Sequence, residues 1–158
     1  MTNAPELAAC AALAAFLCAS APGGTAVAQT AGQAWTIALT GEAEGPGLGD
    51  PDGSGSAELK IDPEKGELCY VLKASNISPA RLSHIHKSPA GQAGGPIVVN
   101  MTPPTEGHSE GCVAIRPAVA LELLTSPAEF YVNIHNPEYP GGAIRGQLDT
   151  GRAAAPVP

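Results

Sequence analysis

The run YVNIHNPEYPGGAIRGQL, residues 131–148, decides the fold class. Val132 and Ile134 alternate with Tyr131, Asn133 and His135, so the first part reads as a strand with one apolar face. Pro137, Pro140, Gly141 and Gly142 then form a turn, and Ile144 to Leu148 return as a second strand beside the first. The same period of two, closed by turn residues, recurs outward through the chain. It predicts strands over 34–43, 56–62, 67–74, 81–87, 96–101, 112–115, 129–136 and 142–149. Eight short antiparallel strands, with 19 glycines and 16 prolines in 158 residues, make an all-β, Greek-key-like sandwich or barrel rather than a helical bundle. One helix is expected after Pro117, with Val119, Leu123 and Leu124 on its buried face.

Both ends of the chain fall outside this pattern. Residues 1–28 carry an alanine-rich apolar stretch ending in Ala26-Val27-Ala28, a signal-peptidase pattern, although the start MTNAPE lacks Lys and Arg. Leu7-Ala8-Ala9-Cys10 also approaches a lipoprotein box, without the apolar run such a box needs before it. The reading is a signal peptide over 1–28, one domain over 29–149, a disordered tail over 150–158, and a periplasmic or secreted product without a membrane span. Cleavage after Ala28 removes Cys10 and Cys18 and leaves Cys69 and Cys112, which in an exported protein are expected to pair. Only Glu6 leaves with the signal, so the net charge of −7 becomes about −6. That acidity argues against nucleic acid as a partner.

The chemistry-bearing residues concentrate on two strands. In Ser83-His84-Ile85-His86-Lys87, alternation puts both imidazoles on one face and Ile85 on the other. His135 lies opposite the Val132 and Ile134 face of its own strand. With both apolar faces turned to the core, all three histidines project outward, a donor set suited to copper and, less well, to zinc. His108, in the loop Thr102 to His108, is the candidate fourth ligand. Arg145 returns past His135, where a guanidinium can orient a small anion; a structural pair with Glu138 or Asp149 is the alternative. Lys87 and Arg145 together would have to create a local positive funnel on an acidic protein. The spaced aspartates Asp50 and Asp52 do not make a calcium loop, because Ile61 stands where its glutamate belongs. Phosphate-loop, serine-elbow and zinc-protease helix motifs are absent from the sequence.

The motifs that carry a family resemblance are Trp35 to Leu39 with Gly41, the turn DPDGSG at 50–55, Leu68-Cys69-Tyr70, HIHKSPAG at 84–91, Gly95 to Val99, Gly111-Cys112-Val113, and the run 131–148. Together they resemble the CHRD domain, named after repeats in the animal protein chordin, with Ser88 replacing a common glycine. The resemblance implies export and a β-sandwich. A more distant similarity, in the order of the paired histidines, the later histidine and the arginine in a Gly-rich last strand, is to copper/zinc superoxide dismutases. It implies copper ligation by His84, His86 and His135, superoxide as the substrate, and an anion-guiding role for Arg145. It does not extend to a zinc site. Three functions follow as expectations: a copper site with dismutase activity, a non-catalytic module binding another extracytoplasmic protein, and a metal buffer or chaperone.

Overall fold

A computed structural model describes Met1 and residues 33–92 and 94–148. The signal peptide and the tail read from the sequence lie outside the described residues. All eight expected strands are present: β1 (Ala34–Thr40), β2 (Ser54–Asp62), β3 (Glu67–Ser75), β4 (Leu82–Lys87), β5 (Ile97–Met101), β6 (His108–Ala114), β7 (Phe130–His135) and β8 (Ile144–Gln147). They form one antiparallel sheet in the order β5-β4-β7-β8-β1-β2-β3-β6, rolled into a nearly closed barrel. Its two end strands do not pair. Their seam is bridged at Thr102, whose N–H donates to the Tyr70 hydroxyl at 2.9 Å and whose carbonyl accepts from Ser109 at 2.7 Å.

The alternation that predicted the strands also builds the interior. Ile37, Leu39, Leu59, Leu72, Ile85, Val132 and Ile134 point inward and are fully buried or nearly so. The helix α1 (Pro117–Thr125) starts at its proline and sends Val119, Ala120 and Leu123 into that core, with Leu124 packed against it. Gly146 is required by close approach, since a Cβ there would meet the Ala38 carbonyl oxygen at 2.2 Å.

Cys69 and Cys112 face each other across β3 and β6 and form the expected disulfide, with 43 residues of sequence separation. Strand β6 begins at His108, four residues earlier than the sequence suggested. Pairing of Lys73 with His108 draws that stretch out of the loop and into the sheet. Among the described residues no helix is long and apolar enough to cross a membrane.

Candidate metal centre

Strands β4, β7 and β8 differ from the rest of the barrel in being buried on both faces. Their inner face carries Ile85, Val132, Ile134 and Ile144; the outer one carries His84, His86, Tyr131, Asn133, His135, Arg145 and Gln147, all of them buried. The direction of the three histidines agrees with the alternation. Their environment does not match an open outer surface, because His84, His86 and His135 are only 8%, 9% and 8% exposed. Segments from neighbouring loops roof them over.

Register explains how the rings meet. His86 stands opposite Tyr131 and His84 opposite Asn133, while His135 is one pair further on, opposite Leu82. A potential ligand atom from each of the three imidazoles lies within 4.8 Å of the others. His84 Nδ1 and His135 Nε2 are 3.3 Å apart. That is about the separation of two nitrogens held ~2.0 Å from one ion at a tetrahedral angle.

The outer partners of two rings fix which nitrogen carries the proton. His86 Nδ1 lies 3.0 Å from the Gly95 carbonyl oxygen, and His135 Nδ1 lies 3.0 Å from that of Pro140. A carbonyl only accepts, so each Nδ1 must donate and each Nε2 keeps its lone pair. His86 Nε2 is then left buried without a hydrogen-bond partner. Such an orphaned lone pair is costly in a protein interior, and a cation would satisfy it. Ring N–H donation to a carbonyl is the usual second contact of a metal-binding imidazole. Burial, with the positive charge that His135 and His86 would carry when protonated, holds His84 down to about 4. His135 is likewise lowered, first by burial, against the opposing hydrogen bond to Pro140. Both rings stay neutral at physiological pH, the form that ligates.

His108 does not join this group. It is exposed, sits opposite Lys73 on β6, and has no ligand atom among those that converge. The fourth-ligand expectation is not met: the atoms that converge belong to His84, His86 and His135. Arg145 is near but engaged elsewhere: its guanidinium lies 3.5 Å over the Tyr131 ring and donates to the Gln92 carbonyl at 2.8 Å and to Gln147 Oε1 at 3.3 Å. Glu138 accepts instead from Ser78, and Asp149 lies outside the described residues. Lys87 is drawn away by Glu122 at 2.8 Å and Glu129 at 3.9 Å, so it builds no funnel with Arg145.

Two contributors escaped the sequence reading. Tyr131 stacks parallel to His86 and donates its hydroxyl to the Gly94 carbonyl at 3.0 Å. Glu44, on a 3-10 turn spanning Glu42–Glu44, enters from a loop far away in sequence. Burial raises its pKa to about 7, against the lowering effects of Arg145 and Asn133. A cleft of about 510 Å³ is lined by Glu44, His86, Tyr131 and Asn133 among others. It gives His86 an approach from solvent.

Residues 35–148 match the CHRD domain family. The chain belongs to the CHRD family. That match takes in β1 through β8 and every residue of the histidine cluster. None of the curated proteins and none of the solved structures matches the chain.

Proposed function

We propose that this CHRD domain binds one copper ion through His84, His86 and His135. The observation that carries the reading is the pair of carbonyl contacts from Gly95 and Pro140, which leave two imidazole lone pairs aimed inward beside His84. An all-nitrogen set without thiolate suits copper(II) ahead of zinc at equal supply. The disulfide fits an oxidising compartment, periplasmic or extracellular. Reversible binding, as in a metal buffer, is favoured over dismutation of superoxide, because Arg145 and Lys87 spend their donors on protein partners. Family membership favours a second reading, a non-catalytic module that holds another extracytoplasmic protein.

Elemental analysis of the purified protein, expressed with copper and zinc both supplied, tests the first reading. One copper per chain is expected, falling to none in the His84→Ala/His86→Ala double variant. Zero metal in the parent, or a stoichiometry that ignores the double substitution, rejects it and leaves the non-catalytic module.

A further inference from the structure

Three buried polar atoms without partners belong to residues lining one cleft: His86 Nε2, Glu44 Oε1 and Asn133 Oδ1. Asn133 is 1% exposed, and its side chain lies close enough to Glu44 to favour the ionised carboxyl. Its Oδ1 is left without a donor, and an amide oxygen can only accept. With Glu44 ionised, both oxygens are acceptors on the cleft that His86 lines. Desolvated acceptors of this kind are satisfied only by a molecule that brings hydrogens to them.

Arg145 stands opposite Asn133 and lowers the Glu44 pKa, but the burial of Glu44 outweighs it. Strand order puts Arg145 and His86 on opposite sides of Tyr131, and both pack on its ring. The guanidinium therefore lies behind the aromatic plane as seen from the imidazoles. Glu44 itself is held in place by the hairpin: a Cβ at Gly142 would overlap its carboxylate, so the glycine leaves the room the side chain fills.

We propose that Glu44 and Asn133 form a ligand pocket beside the three histidines, one that takes small neutral molecules bearing O–H or N–H donors and rejects small anions. The inference rests on the copper reading, since the ligand would sit between these oxygens and the ion. It is tested on the full chain loaded with copper(II), one equivalent being verified first by elemental analysis. Azide and imidazole are then titrated at pH 8.5, with the carboxylate ionised, and followed by the visible and paramagnetic resonance spectra.

Replacing Glu44 by Gln removes a nearby negative charge, which at short range in a partly buried site is worth about a tenfold change in the affinity of an anion. Glu44→Gln is expected to tighten azide about tenfold without tightening imidazole. Asn133→Asp, which adds a charge, is expected to weaken azide further, and gives a second readout should either variant fold poorly. Equal azide affinity in the parent and in whichever variant retains one copper overturns the pocket while leaving the copper reading intact. Absence of copper at the first step overturns both.

Discussion

The Tyr131 ring lies parallel to that of His86, within 5° and 5.0 Å between centroids. One face of the aromatic fixes a proposed ligand, and strand order leaves the other for Arg145. Tyr131→Ala should therefore do more than open a cavity. We expect a loss of about 3–5 kcal/mol in denaturant unfolding and a drop of roughly 10–100-fold in copper affinity by chelator competition. Tyr131→Phe keeps the platform and loses only the bond to Gly94, at about 1 kcal/mol, with the metal retained.

In the metal-free protein the histidines and Glu44 pull stability in opposite directions with pH. His84, depressed from 6.5 to about 4, is protonated more readily in the unfolded chain, so its term is lost as pH falls from about 6.5 toward 4. Glu44, raised from 4.5 to about 7, binds its proton more tightly when folded, so its term is lost as pH rises through that range. Glu44→Gln should unmask the histidine term. Unfolding free energy measured between pH 5 and 6.5 should climb more steeply in the variant, by up to about 1.4 kcal/mol per pH unit. An unchanged slope contradicts this.

Gly142 has a φ of 142°, and a Cβ added to it would collide with the Glu44 carboxylate. Gly142→Ala combines a conformation unsuited to L side chains with a collision, and should cost about 1–3 kcal/mol. In the Glu44→Ala background the collision disappears and only the backbone part remains. A double-mutant cycle in denaturant reads the difference.

The disulfide closes a long loop between β3 and β6, away from the histidines in the sheet order. Replacing both cysteines by serine should cost about 4 kcal/mol in the chain-entropy model. Copper stoichiometry should be unaffected, as elemental analysis of the variant checks.

Period-two alternation made the strands and the common direction of His84, His86 and His135 legible, because a strand dictates which side each residue takes. The Cys69–Cys112 pairing came separately, from counting the cysteines that the expected cleavage leaves. The roof over the site was not legible. The Gly95 and Pro140 carbonyls come from irregular backbone, and Gly94 and Gly95 adopt φ values of 78° and 98° that no side-chain pattern encodes. Glu44 arrives through the pairing of β8 with β1, a contact between strands distant in the chain. His108 misled for the converse reason: its type suited a ligand, while the sheet carried it elsewhere.

The unpaired seam between β5 and β6 has a consequence for how the barrel breathes. Amides beside that gap depend on few cross-strand bonds, so hydrogen exchange should begin there and reach β7, flanked on both sides, last. The strand carrying His135 would then stay shut through the commonest fluctuations, and a bound ion would leave through the cleft lined by His86 instead of through the loosened seam.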